Sequence, residues 1–219
     1  MTTPFDLSET DRLLTTTRAV RRRLDLDRPV EPQVILDCIA ISQQAPTGSN
    51  SQGWRWVIVT DQAKKDALAD MYRRAGGEYL AANMARADEV PDQQRRVMSS
   101  ATFLAENIQR VPALVIPCIK GRPPQGAPPQ AWAGHLGSVL PAVWSFQLAL
   151  RSRGLGSAWT TFHLAFEADA AALLGIPDDV MQVALLPVAY TKGTDFSPAD
   201  RPPPERIVSW NTWGDKTPA

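Results

Sequence analysis

Histidine is almost absent from this 219-residue sequence: His135 and His163 are the only two. No H-E-x-x-H run and no Cys/His pair at ligand spacing accompanies them, so no zinc site is expected. Each histidine reads as a core or surface residue rather than a catalyst. The two cysteines, Cys38 and Cys118, stand far apart inside apolar patterns. They read as small core residues, not as a disulfide or part of a metal centre. There is no G-x-S-x-G nucleophile elbow and no P-loop. The run "GLGSAW" opens like a dinucleotide fingerprint but lacks the third glycine and the preceding strand. Net charge is missing too, because 23 Lys+Arg balance 23 Asp+Glu and the pI is near 6.7. That balance argues against a dedicated nucleic-acid binder. The longest apolar runs, "ALVIPCI" and "VALLPVAY", are too short to cross a bilayer. The opening "MTTPFDLSETDRLL" has no apolar segment behind a basic start, so no secretory signal is expected. These absences leave a cytoplasmic chain with no membrane and no nucleic-acid partner. They also leave little side-chain machinery for catalysis, which points to a borrowed cofactor.

What is present suits one folded domain over residues 1–219, with 44% hydrophobic and 21% charged residues. The stretch "TTTRAVRRRLDLDRPV" concentrates Arg18, Arg21, Arg22 and Arg23 within six positions. In a chain of zero net charge, such a local cluster favours a small anion over a long polyanion. Ser8 to Leu24 reads as one helix, or as a helix that ends in the arginine cluster; on one continuous helix Arg18 and Arg22 would stand one turn apart on one face. A solvated basic face is the other reading of the cluster. "EPQVILDCIAISQQA" reads as a second helix with Pro32 in its first turn. "APTGSNSQG" follows as a loop of turn formers, and "WRWVIVTD" as a strand with Trp54, Trp56 and Ile58 on one side.

Residues Gln62 to Arg110 read as two or three exposed helices, broken at Ala75–Gly77 and before Pro91. Ala113–Lys120 is a second strand, and the proline-rich run after it a surface loop. Ala131 to Gly154 forms the most apolar helix, kinked at Pro141; it suits a core or a subunit interface. Ser157–Phe162 reads as a short strand, "EADAAALLGIP" as a short helix, Val180–Gly193 as a long strand, and "RIVSW" as a last strand. Helices and strands without regular alternation indicate α+β.

Four motifs, taken in order, resemble the FMN-dependent nitroreductase family. Members begin with a helix carrying R-x-S-x-R, matched here by Arg18 and Arg22 with Val20 at the serine position. "APTGSNSQGW" is similar to the family loop A-P-S-x-x-N-x-Q-P-W, and "GLGSAWTTF" to the glycine-leucine turn before a flavin-contacting strand. "LLPVAYTKG…ADRPPPERIV" resembles the C-terminal strand, turn and basic residue, with Arg201 in the basic position and Ala189 replacing a glycine. Leu24 stands where an aromatic residue is common.

The resemblance implies a nitroreductase-like fold, with a central mixed or antiparallel sheet flanked by helices, in an intertwined homodimer. Tightly bound FMN would lie at the interface. The implied cofactor-binding residues are Arg18, Ala19, Arg22, Pro46, Thr47, Gly48, Asn50, Gln52, Trp159, Thr160, Thr161 and Arg201. Arg18, Arg22 and Arg201 would cradle the phosphate, which suits the planar arginine fork. Arg22 would also be the positive group nearest the pyrimidine edge. The loop of Pro46 to Gln52 would reach the partner's flavin. Thr160 or Thr161 would place a hydroxyl at flavin N5, unless both are simply β-formers.

The implied activity is NAD(P)H-dependent reduction of a nitroaromatic, quinone or activated alkene in a ping-pong cycle, with no obligatory catalytic side chain. Residues 75–110 would form a helical lid that chooses the small-molecule acceptor. The lid carries Glu78 and Tyr79 but no lysine, which weakens a reductive-dehalogenase alternative. A protein that binds or sequesters FMN without turnover is a further alternative.

Overall fold

The computed structural model describes residues 4–217. These divide into two compact units, residues 4–17 with 195–217, and Arg18–Thr194. The first holds helix α1 (Leu7–Thr16), capped by Asp6, whose carboxylate accepts the N–H groups of Ser8 and Glu9, and the short helix α8 (Pro204–Ile207). "RIVSW" forms no strand. The prolines before it seat α8 with Pro204 in its first turn, and the chain then turns back through a Trp210 N–H to Asp215 carbonyl bond.

The larger unit is built on five strands: β1 (Trp54–Val59), β2 (Ala113–Lys120), β3 (Leu155–Ser157), β4 (Val180–Gln182) and β5 (Leu186–Tyr190). They run in the order β1-β2-β5-β3, with β4 also on β2, and every pairing is antiparallel. The fold class is α+β, as the mixed pattern indicates. Helices α2 (Pro32–Ser42) and α6 (Leu140–Ser152) pack on each other, as do α3 (Gln62–Ala85) and α4 (Asp92–Asn107). Ile35, Cys38, Val143, Phe146 and Leu150 share a core with Val115, Leu186 and Val188 of the sheet. Every residue of β2 except Lys120 is buried, so both sheet faces are covered.

Five boundaries depart from the sequence pattern. The first helix stops at Thr16, where Thr15, Thr16 and Thr17 each donate a hydroxyl to a carbonyl one turn back. Arg18–Leu24 is therefore not helical. It lies along the sheet instead, through the Val20 N–H to Ser157 carbonyl bond at 2.8 Å and a bridge between Leu24 and Thr191. Gly156 makes that approach possible, since a Cβ there would press on Val20 and Thr191.

By contrast, α3 runs unbroken through the expected break at Ala75–Gly77. The apolar stretch expected as one helix is two, α5 (Pro129–Gly137) and α6. Pro141 sits in the first turn of α6, where its missing N–H and its ring bulk forbid continuation from Gly137. The long strand expected from Val180 splits at Val183–Leu185. Pro117 on the neighbouring β2 has no N–H to offer there, and its carbonyl takes the Val183 N–H. The strand expected at Ser157–Phe162 ends at Ser157, and Phe162–Phe166 is a 3-10 turn that leads into helix α7 (Glu167–Leu174).

Candidate active site

Within the larger unit, α3, α4 and the segment after β3 enclose a cavity of about 220 Å3. Tyr72, Tyr79 and Asn83 come from one stripe of α3, at the spacing that keeps side chains on one helix face. Gln94, Val97, Met98 and Ala101 form the matching stripe of α4. Trp159, Thr160, Thr161 and Phe162 close the third side. Phe162 is wedged into α3 at Gly76, with its ring centroid 5.0 Å from Tyr72 and 5.9 Å from Tyr79, both edge-on.

One cation reaches into this aromatic-walled space, and it is Arg21. Its guanidinium donates to the Ser100 hydroxyl at 3.2 Å, which fixes it against α4. Burial lowers its pKa, opposed by the nearby Tyr72, but an arginine stays charged at any ordinary pH. Burial likewise raises the Tyr72 phenol, with Arg21 and the Thr160 side chain pulling it back. Tyr72 is therefore a neutral donor at neutral pH.

The two threonines differ sharply. Thr160 is buried, forms a bridge with Leu185, and spends its hydroxyl proton on the Leu185 carbonyl at 2.6 Å. Thr161 is exposed and lines the cavity, and its hydroxyl has no hydrogen-bond partner among the described residues. Trp159 lines the same cavity, about one-third exposed at 36%.

The remaining residues implied by the resemblance lie elsewhere. Arg18 and Ala19 are exposed in the non-helical segment. Arg22, one turn of helix from Arg18 on the sequence reading, points instead to α4. It donates to the Ser99 hydroxyl at 2.7 Å and carbonyl at 3.2 Å, and its guanidinium lies over the Phe103 ring. Arg201 belongs to the smaller unit, is exposed, and donates to the Asp200 carbonyl.

The loop of Pro46, Thr47, Gly48, Asn50 and Gln52 does not line the Arg21 cavity of its own chain. It is held in an unusual shape: Ser49, Asn50 and Gln52 all have φ near +50°, at 51°, 54° and 49°. Such left-handed non-glycine residues cost energy and collect at functional sites. The Gly48 N–H donates to the Ser138 hydroxyl, the Gln52 N–H to the Thr47 hydroxyl, and the Gln52 side-chain amide to Asn50 Oδ1.

Sequence reasoning missed Arg21, Tyr72, Asn83 and Gln94. A signal existed in α3, where Tyr72, Gly76 and Tyr79 share a face around a glycine with no helical reason to be there. For Arg21 no local signal existed, because its direction depends on the chain leaving the helix at Thr16.

The residues present suit a flavin. A fixed cation beside neutral hydroxyl and amide donors in an aromatic slot can answer the carbonyls and the negative charge of a reduced ring. Among the described residues no group of His, Cys, Asp or Glu is placed to hold a metal ion, and no helix is long and apolar enough to cross a membrane.

Comparison with known proteins agrees. The profile of the nitroreductase family matches residues 14–190. An iodotyrosine deiodinase of Thermotoga neapolitana is 26% identical over 196 residues, 90% of this chain and 95% of that protein. Among solved structures, a BluB-like flavoprotein from Clostridium difficile 630 superposes with a TM-score of 0.68 at 21% identity, over 95% of this chain and all of the other. The FMN and NADPH-dependent nitroreductase NfnB from sphigopyxis sp. strain HMH gives 0.64 at 21% identity, over 95% and 100%.

Proposed function

The chain belongs to the nitroreductase family, and from that premise we propose that it is an FMN-dependent oxidoreductase. It takes hydride from NAD(P)H and passes the reducing equivalents to a nitroaromatic, a quinone or an activated alkene, in a ping-pong cycle. The observation that carries this reading is Arg21, a half-buried cation in an aromatic slot shared with Thr161.

FMN, when bound, supplies the hydride chemistry, and the chain supplies binding and electrostatics. Arg21 takes the pyrimidine-edge role that the sequence reading gave to Arg22; Ser100 holds its guanidinium in place before any charge develops. Thr161 would offer its hydroxyl to the flavin, while Thr160 keeps the segment docked on Leu185. Arg18 remains a candidate for the phosphate. Tyr79, Trp159 and Phe162 exclude water from the slot. Solvent supplies the protons, so no side chain is an obligatory acid.

The functional unit is a homodimer. Leu36, Ile41, Leu140 and Trp144 are exposed apolar residues on the packed pair α2 and α6, with exposures of 53%, 44%, 37% and 44%. The strained loop of Pro46 to Gln52, which does not serve its own cavity, is free to serve the partner's. Sedimentation equilibrium of the purified protein must then give about 48 kDa, twice the 24.0 kDa chain.

The test of function is direct. The purified protein should be yellow and release about one FMN per chain on heating. NADPH or NADH should bleach it without oxygen, and a quinone should restore the colour. A protein that cannot be loaded with FMN would end the flavoenzyme reading. One that binds FMN but is never bleached is a binding protein without turnover. A reductive dehalogenase is the second reading, favoured by the deiodinase relative; release of iodide from a halophenol would establish it.

A further inference from the structure

We propose that a second cleft, on the other side of α4 from the Arg21 cavity, binds the 2′-phosphate end of NADPH and makes this the preferred reductant. The proposal rests on the oxidoreductase reading above. The cleft measures about 720 Å3 and is lined by Arg22, Arg23, Arg95 and Arg96, with Asp88 the one carboxylate among the described residues of its wall. Arg22 and Arg23 arrive from the segment after α1, and Arg95 and Arg96 from α4, so tertiary folding brings together charges about seventy residues apart.

This concentration is unfavourable on its own. Arg95 and Arg96 are the fourth and fifth residues of α4, near the helix end that already carries partial positive charge. Cations are better placed at the opposite end. Arg22 is held by Ser99 and Phe103, and Arg95 pairs with Asp92. Arg96 has no ion-pair or hydrogen-bond partner among the described residues. A doubly charged phosphate would relieve this repulsion and meet planar guanidinium donors, with the Ser99 and Ser100 hydroxyls beside them.

Size and lining point to a nucleoside phosphate rather than a bare anion. The cleft is much larger than one phosphate needs, and Met84 and Ala87 give it an apolar wall against which a purine can lie. Its position suits a dinucleotide. Gln94, Val97 and Met98 of α4 face the Arg21 cavity while Arg95, Arg96 and Ser99 face the cleft, so roughly one helix diameter, about 10 Å, separates the two. A nicotinamide in the first can belong to the same molecule as an adenosine phosphate in the second.

Calorimetry of the FMN-loaded protein with adenosine 2′,5′-bisphosphate, and with AMP as the control, tests this without turnover. The bisphosphate is expected to bind about ten-fold tighter, the scale of one or two charge-assisted contacts. Arg95→Ala/Arg96→Ala should abolish the difference and lower the NADPH-to-NADH ratio of kcat/KM by a similar factor. Asp88→Asn, which removes the opposing carboxylate, should raise that ratio, a gain that misfolding cannot imitate. Equal binding of the two nucleotides would overturn the proposal. Loss of FMN from the arginine double variant, with nucleotide selectivity intact, would also overturn it, since the cleft would then hold the flavin's own phosphate. If the bisphosphate binds selectively but NADPH never bleaches the protein, the phosphate site stands and the oxidoreductase reading fails. If NADPH and NADH bleach it equally and no variant changes that, the oxidoreductase reading stands and the site fails.

Discussion

The ring of Phe162 occupies the space that a side chain on Gly76 would need. This one contact joins α3 to the segment that carries Trp159, Thr160 and Thr161, and so shapes the cavity. Gly76→Ala should cost about 1–3 kcal/mol through overpacking, and should also weaken FMN retention. The neighbouring Gly77 faces open space, so Gly77→Ala should be neutral or stabilise by up to about 1 kcal/mol. Urea midpoints of the two variants check both; equal midpoints would show that Phe162 does not depend on Gly76.

Thr160 and Thr161 should separate stability from chemistry. Thr160→Val removes the donor to a buried carbonyl and should cost about 1–2 kcal/mol. Thr161→Val, at an exposed position, should stay within about 0.5 kcal/mol of the parent. Only Thr161→Val should change the reduction behaviour of bound FMN, read as the yield of one-electron reduced flavin during photoreduction.

Arg21 and Arg22 are adjacent in the chain and opposite in duty. Arg21→Ala should weaken FMN binding at least about ten-fold, and Arg21→Lys should restore little, because the planar fork is lost. Arg22→Ala should instead loosen α4 by about 1 kcal/mol, through Ser99 and Phe103, with a smaller effect on FMN. Fluorescence titration with FMN and thermal unfolding distinguish the two.

His163 should make stability depend on pH. Burial pushes its pKa from 6.5 down to about 4, against the opposing pull of Glu167 and Gln182. Between those values the unfolded chain binds a proton that the folded chain refuses, so the stability is complete above pH 6.5 and declines toward pH 4. From pH 7.5 to pH 5 the loss attributable to this residue is about 2 kcal/mol. His163→Gln should flatten that part of the profile, as measured by denaturant unfolding at the two pH values; an unchanged slope would mean that His163 is charged in the folded protein.

Much of the architecture was legible in the chain. The apolar runs of β1 and β2, the helix with Pro32 at its start, the turn-forming loop at Pro46–Gln52 and the α+β mixture follow from local pattern, because burial requires it whatever the neighbours are. The apolar stretch from Leu136 to Leu150 was open between core and interface. The structure buries Phe146 and Leu150 and leaves Leu140 and Trp144 exposed. Scarcity of histidine and cysteine, and the balance of charge, narrowed the chemistry before any fold was known. The family, too, was recognisable from motif order.

What only the tertiary structure decided were directions. Residues Arg18 to Arg23 suit a helix by propensity, but Val20 and Leu24 gain more from the sheet, and leaving the helix turns Arg21 inward and Arg22 onto α4. Gly76 suits a helix break by propensity, but Phe162, nearly ninety residues later, uses the gap and the helix continues. Proline at 117 ends pairing on a strand more than sixty residues away. In each case the local preference is worth about 1 kcal/mol or less, and burial of a side chain against a distant segment is worth more. Sequence by itself determined the α+β mixture and the family; the non-local contacts decided where several elements end and which side chains share the cavity.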